Sequence, residues 1–199
     1  KVSRVDFAAE APDENAGGWD YPGVDLSDAA ACEKVLAEIC SKAGGVDVLV
    51  NIAGGFAWET LDEGSLDTWQ RMFTMNVVTA ATISKASLAA LRNSDSGRII
   101  SIGAGGAVQA DAGLGAYAAS KSGVHRLTEA LAAELFGTTV TANAILPSII
   151  DTPTNRSDMP DADTSNWVKP EAIAEVILFL ASSASRSISG ALIPVSRGG

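Results

Sequence analysis

Tyr117 and Lys121 stand four residues apart at the head of a segment whose apolar residues Val124, Leu127, Leu131 and Leu135 recur at helical spacing. That spacing puts a phenol and an ammonium on one face of a helix. An ammonium beside a phenol favours the phenolate. It draws the tyrosine pKa down from about 10 toward the pH at which it could hand a proton to a developing alkoxide. The pair is a candidate general acid. An ordinary amphipathic surface pair has the same spacing, so the companions of the two residues carry the assignment.

Those residues need a scaffold, and the chain supplies an alternation of strands and helices. Val2, Val5 and Phe7 lie in a β-rich segment ending at Asp6, and Tyr21 to Val24 is expected as a second short strand. Ser27 or Asp28 can cap a helix that runs to about Lys42, where Gly44-Gly45 breaks it. Val46 to Asn51 is a near-continuous apolar run, expected as a strand buried on both faces. Ser65 caps a long helix over about Leu66 to Leu91, with Asp67 near the positive end of its dipole. Arg98 to Ile102 is the next strand, a Gly/Ala-rich loop leads to the Tyr117 helix, and Thr139 to Leu146 is again β-prone and ends at Pro147. The polar stretch Ser148 to Lys169 is predicted as a long loop. Pro170 opens a helix to about Ala181, and Ala191 to Val195 is a last strand. Such alternation predicts one α/β domain over residues 1–199, a doubly wound parallel sheet in three αβα layers with its ligand at the carboxyl ends of the strands.

A formal net charge of −10 argues against nucleic-acid and anionic-membrane partners, which would repel the chain. Mean hydropathy is +0.19, yet the most apolar helix, from Ala172 to Ala181, contains Glu175 and is far shorter than the ~20 residues a membrane span needs. Cys32 and Cys40, eight apart on a helix, lie about 12 Å apart along its axis, beyond disulfide reach. A reducing, cytoplasmic setting is the expectation.

Four motifs in order identify a relationship. Asn51-Ile-Ala-Gly54 at a strand end, Met75-Asn76-Val77, Tyr117-x-x-x-Lys121, and Pro147 with Asp151-Thr152-Pro153 resemble the motifs of the short-chain dehydrogenase/reductase family, over essentially the whole chain. Ala53-Gly54-Gly55 followed by an aromatic, the loop before Tyr117, and the stretch from Asp151 to Asp163 near Trp167 resemble the dihydropteridine reductase subgroup. The resemblance implies a Rossmann-like fold, hydride transfer with an NAD(P) cofactor, and catalytic roles for Tyr117, Lys121 and Asn76, the last bending its helix and anchoring a proton-relay water. It implies cofactor contacts from Asp6, Asp25, Leu26, Asn51, Ala53, Gly54, Tyr117, Lys121, Pro147, Ile150 and Thr152, and substrate contacts from Phe56, Trp58 and Ala104. Asp6 at its strand end would accept from the adenosine ribose and repel a 2′-phosphate, favouring NAD over NADP, while Arg4 pulls the other way. Asp25 can serve as an adenine contact or as plain helix capping. Phe56 and Trp58 can stack on a flat heterocycle or pack into the core.

Two departures shape the functional reading. The family's catalytic serine usually lies thirteen residues before the tyrosine, where this chain has Ala104 beside Gly103. Losing such a donor commonly costs ~10²–10³ in rate where an alkoxide must be stabilised. An already electrophilic quinonoid dihydropterin needs less help, and dihydropteridine reductases likewise lack that serine. The second departure is the absence of a Gly-rich phosphate loop. With the strand order 3-2-1-4-5-6, the strand that would carry it belongs between Val2–Phe7 and Val46–Asn51, so an N-terminally incomplete domain with a split sheet is expected.

The rival activities are a general carbonyl or 3-oxoacyl reductase working without its serine, and a catalytically silent Rossmann-like binding module. The sugar-epimerase branch shares Tyr-x-x-x-Lys but is usually longer and lacks this Asn-x-Ala-Gly and Asp-Thr-Pro pattern. His125, one turn beyond Lys121, reads as a surface or interface histidine. Asp158, Asp161 and Asp163 are too loosely spaced to hold a metal, and none is expected. Asn155 to Trp167 is expected to close over the substrate. Self-association into a dimer or tetramer is expected through the two long helices, where Ala80, Ala81, Ala118, Ala119, Ala132 and Ala133 would permit close approach.

Overall fold

The computed structural model describes residues 1–10 and 17–197. Every strand pairing within it is parallel. Strands β3 (Val48–Asn51), β4 (Arg98–Ile102), β5 (Thr141–Pro147) and β6 (Leu192–Val195) form one sheet in the order 3-4-5-6. Asn51 lies beside Ser101, Ser101 beside Ala144, and Pro147 beside Val195, so the carboxyl ends of all four strands emerge on one edge. Strands β1 (Ser3–Val5) and β2 (Trp19–Tyr21) form a separate two-stranded sheet. In that pair Arg4 faces Asp20, and their side chains bridge with Nε–Oδ1 at 2.6 Å and Nη2–Oδ2 at 2.9 Å. Among the described residues β1 and β3 each have one strand neighbour, so each presents an open edge there, the split that the strand order led us to expect.

Successive residues of a strand point to opposite faces, and β4 and β5 are apolar on both. Ile99 and Ala142 pack with Leu91, Leu131 and Leu135 against α3 (Thr79–Arg92) and α4 (Gly115–Glu134). Ile100 and Ile145 pack on the other face with Val168, Ile173 and Leu180, under α6 (Pro170–Ala181). The result is a three-layer αβα core. Each large aliphatic side chain so buried contributes about 1.5–3 kcal/mol, which makes β4 and β5 the firmest part of the fold. Helix α1 (Ala29–Ala43), capped by Asp28, packs on α3 and carries Cys32 and Cys40 as free thiols. No described helix is long and apolar enough to cross a membrane.

Several expectations need correction. β3 is half-buried at Val48, Leu49 and Val50, because it has a strand on one side only. The second strand ends at Tyr21, since Pro22 cannot donate to a ladder and Gly23 turns the chain. The helix expected over Leu66 to Leu91 is α2 (Leu66–Phe73), a π-helical turn over Thr74–Val78 and then α3. The stretch expected as a loop after Ser148 holds α5 (Pro153–Asp158), capped by Thr152 with proline in its first turn. Its flanks are drawn together by a bridge between Ile150 and Val168, and Trp167 is buried.

Candidate active site

Tyr117 sits in the first turn of α4, a helix whose buried face carries Ala118, Lys121, Val124, His125, Thr128 and Leu131. Lys121 is thereby drawn into the protein at 7% exposure, and its Nζ donates to the Ile102 carbonyl, the last residue of β4, at 2.9 Å. Burial lowers its pKa to about 8. Burial also pushes the Tyr117 phenol above its ordinary value. The expected lowering of the tyrosine by its neighbour is therefore corrected: the ammonium is spent on a backbone carbonyl, and desolvation of the phenol dominates.

Asn76, 1% exposed, lies inside the π-helical turn. Its Oδ1 accepts the Gly55 N–H at 3.0 Å, while Nδ2 donates to the Gly55 carbonyl at 3.1 Å and to Ser120 Oγ at 2.9 Å. Ser120 Oγ in turn donates to the Tyr117 carbonyl at 2.7 Å. One amide thus ties the loop after β3 to the first turn of the tyrosine helix. A Cβ on Gly54 would strike Asn76 Oδ1 and lie 3.3 Å from Lys121 Nζ, so glycine lets these three residues meet. Asn51 is also buried, its Nδ2 donating to Ser84 Oγ at 3.0 Å and Ser101 Oγ at 3.3 Å, which locks the end of β3 to α3 and β4. After it, Ile52, Ala53 and Gly54 are exposed.

Phe56 is 63% exposed, and its ring meets Tyr117 edge-on with centroids 4.9 Å apart. Trp58 is equally open, but its Nε1 donates to the Ala112 carbonyl at 3.1 Å and its ring lies on Gly113. The aromatic loop and the entry to α4 are thus joined. Neither ring is a core residue.

Ala104 is buried in extended backbone just past β4. Its N–H donates to Nε2 of His125, which is 3% exposed within the protomer and not the surface or interface residue expected. Burial, Arg126 and Lys121 hold the imidazole below its ordinary pKa, with Glu129 opposing. Its position one turn beyond Lys121, between buried Val124 and Thr128, was the signal available in the sequence. Ser84, Ser101 and Ser120, the hydroxyl partners of the two asparagines, had no such signal.

The remaining candidate residues make local contacts. Asp6 follows β1 and accepts the Ala8 N–H at 2.8 Å. Asp25 accepts both the amide and the hydroxyl of Ser27, which hold its carboxyl below the usual range, and the Leu26 carbonyl accepts from Cys32 Sγ. Pro147 closes β5, the Ile150 carbonyl accepts from Asn155 Nδ2, and Thr152 Oγ1 accepts the Asn155 N–H. Arg156 bridges Asp151 through two nitrogens at 2.5 and 2.8 Å. Among the described residues no group of histidine, cysteine and carboxylate side chains could hold a metal.

Comparison with known proteins agrees with this fold. The family model for short chain dehydrogenases matches residues 3–163. The meso-2,3-butanediol dehydrogenase of Serratia marcescens is 33% identical over 99% of this chain and 83% of its own. The 3-oxoacyl-acyl-carrier-protein reductase FabG of Pseudomonas aeruginosa is 32% identical over 92% of this chain and 78% of its own. A crystal structure of a short chain dehydrogenase from Salmonella enterica serovar Typhi superposes with a TM-score of 0.82 at 25% identity, covering 89% of this chain and 74% of that one. The chain therefore belongs to the short-chain dehydrogenase/reductase family and is an NAD(P)-dependent oxidoreductase.

Proposed function

We propose that the protein reduces an activated C=O or C=N group of a small molecule, with Tyr117 as proton donor. The observation that supports this is that, on the helix of Tyr117, Lys121 reaches the end of β4 and Ser120 is held by Asn76, which also holds the loop after β3, while position 104 just past β4 has no hydroxyl. Bound NAD(P)H supplies the hydride. The residues present fit such a group: an ammonium at Lys121, the exposed residues Ala53 and Gly54, and a carboxylate at Asp6. Lys121 would hold the nicotinamide ribose, and Pro147, Ile150 and Thr152 would flank the ring. Asp25 and Leu26 would border the adenine, and Asn51 would act through the backbone it positions. Arg4 is already bridged to Asp20, which leaves Asp6 to disfavour a 2′-phosphate and supports NAD over NADP. The open edges of β1 and β3 suit a parallel strand whose glycine turn would take the pyrophosphate.

With its pKa raised, Tyr117 stays protonated at neutral pH and can donate; Lys121 nearby would stabilise the phenolate left behind. Phe56 and Trp58 offer a flat substrate two exposed rings, and Ala104 removes a donor that an unactivated ketone needs. Both features suit a quinonoid dihydropterin. The relatives named for butanediol and 3-oxoacyl chemistry favour a second reading, an ordinary carbonyl reductase. NADH oxidation with quinonoid dihydropterin and with a small diketone separates the two. Faster turnover of the diketone would overturn the pterin reading, and binding of NADH without turnover of either would favour a silent module.

A further inference from the structure

Helix α4 reaches the end of β4 at two points one helical turn apart. Lys121 Nζ donates to the Ile102 carbonyl at 2.9 Å, and His125 Nε2 accepts the Ala104 N–H at 3.3 Å. Between them, Gly103 donates its own N–H to the Ile145 carbonyl at 2.8 Å. A Cβ on Gly103 would lie 2.5 Å from His125 Nε2 and 2.7 Å from Cδ2, so the imidazole fills the place a side chain there would take. We propose that His125 is a positioning residue of the active site, a neutral imidazole protonated at Nδ1 that clamps the Gly103-Ala104 turn and so fixes Lys121 and position 104 relative to Tyr117. Its catalytic consequence rests on the reductase reading above; the clamp itself does not.

A ring nitrogen that accepts from an amide must keep its lone pair, so in a neutral ring the proton resides on Nδ1. Protonation of Nε2 would set donor against donor. It would also add a buried cation beside Lys121 and Arg126, with Glu129 alone opposing; all three charges come from α4 itself. Of the other elements packed against α4, β4 carries Arg98 at its far end, α2 carries Asp67 and Arg71, and β5 and the π-helical turn carry no charged residue. Because the Ala104 amide is committed to His125 and its side chain is a methyl, position 104 offers the substrate no donor. The clamp thereby restricts the site to substrates that can react with the Tyr117 hydroxyl as donor.

The chain contains one histidine, so 15N-histidine NMR of the intact protein reads this ring alone. The expected spectrum has a pyridine-type Nε2 and a pyrrole-type Nδ1, with titration below about 6.5. A proton on Nε2, or titration at or above that value, overturns the clamp, and neither result needs turnover or a folded variant. In kinetics, His125→Phe removes the acceptor and should lower kcat by about tenfold to a hundredfold with the KM for NADH little changed. His125→Gln, which can still accept, should recover most of that loss. Equal kcat in all three proteins would overturn the positioning role. A parent protein that shows the expected spectrum but no turnover refutes the reductase reading and leaves the clamp standing. Independently, Gly103→Ala should lower Tm in the parent and be tolerated alongside His125→Ala; equal losses in both backgrounds would count against the clamp.

Discussion

Asn76 meets Gly55 with both ends of its amide, accepting the Gly55 N–H at 3.0 Å and donating to the Gly55 carbonyl at 3.1 Å. A side chain here pairs with a main chain as a second main chain would, and the remaining Nδ2 proton goes to Ser120 at 2.9 Å. Removing it leaves the part-buried N–H and carbonyl of Gly55 without this partner and takes the incoming bond from the buried Ser120 hydroxyl. Asn76→Ala should therefore lose about 2–4 kcal/mol of stability. Urea unfolding measures this, and a loss under about 0.5 kcal/mol would mean that water replaces the amide.

Tyr117 carries the proton in the proposed reaction, so Tyr117→Phe should lower kcat by orders of magnitude while NADH binding is nearly intact. The Phe56 ring that meets it edge-on at 4.9 Å has the same neighbour shape in the variant, which leaves that contact in place. Full turnover by the Phe protein, with NADH affinity measured in parallel, would remove Tyr117 from the mechanism.

Lys121 gives a stability signature at alkaline pH. Its pKa is about 8 when folded against the ordinary 10.5, so between those values the unfolded chain binds the extra proton and stability rises with pH. Tyr117, shifted upward, acts in the opposite direction only above its ordinary 10.0, outside the lower part of this window. The expected gain from pH 8 to pH 10 is on the order of 2 kcal/mol, and Lys121→Met should abolish it. Denaturant unfolding of both proteins at the two pH values tests this; parallel curves would place the lysine in contact with water.

What the sequence made legible was what depends on neighbours along the chain. The apolar runs of β4 and β5 and the 117–121 spacing on α4 are local patterns, and all three lie where expected. His125 was misread because its partner, the Ala104 amide, comes from a strand end 21 residues away and leaves no periodic trace. The π-helical turn at Asn76 answers to Gly55, also 21 residues away, and the half-burial of β3 to the lack of a second strand neighbour. Tyr117 carried a further lesson: spacing alone says that two groups share a face, whereas burial decides which way each pKa moves.

Self-association remains our proposal, as a dimer or tetramer through α2, α3 and α4, but the contact surface is narrower than the alanine pattern suggested. Ala80 and Ala118 are buried within the protomer, which leaves Ala81, Ala119, Ala132 and Ala133 with the exposed Leu66 and Phe73. Light scattering should give a mass above the monomer at micromolar concentration. Phe73→Glu should lower that mass, and a parent that is monomeric throughout would refute the proposal.

Ala104 is the position at which activity should be most easily redirected. It sits in extended backbone just past β4 with its amide held by His125, so a serine can be introduced there without changing the main chain. A well-placed hydroxyl donor to a developing alkoxide is worth about 3 kcal/mol, or ~10²-fold in rate. An electron-poor C=N group, needing less stabilisation, should gain little. Ala104→Ser is thus expected to raise kcat/KM on a simple diketone and leave that on quinonoid dihydropterin within a few-fold, with NADH oxidation as the common readout. If the parent already turns over the diketone rapidly and serine adds nothing, another group supplies the second donor. The activated-substrate reading would then lose its support at this position.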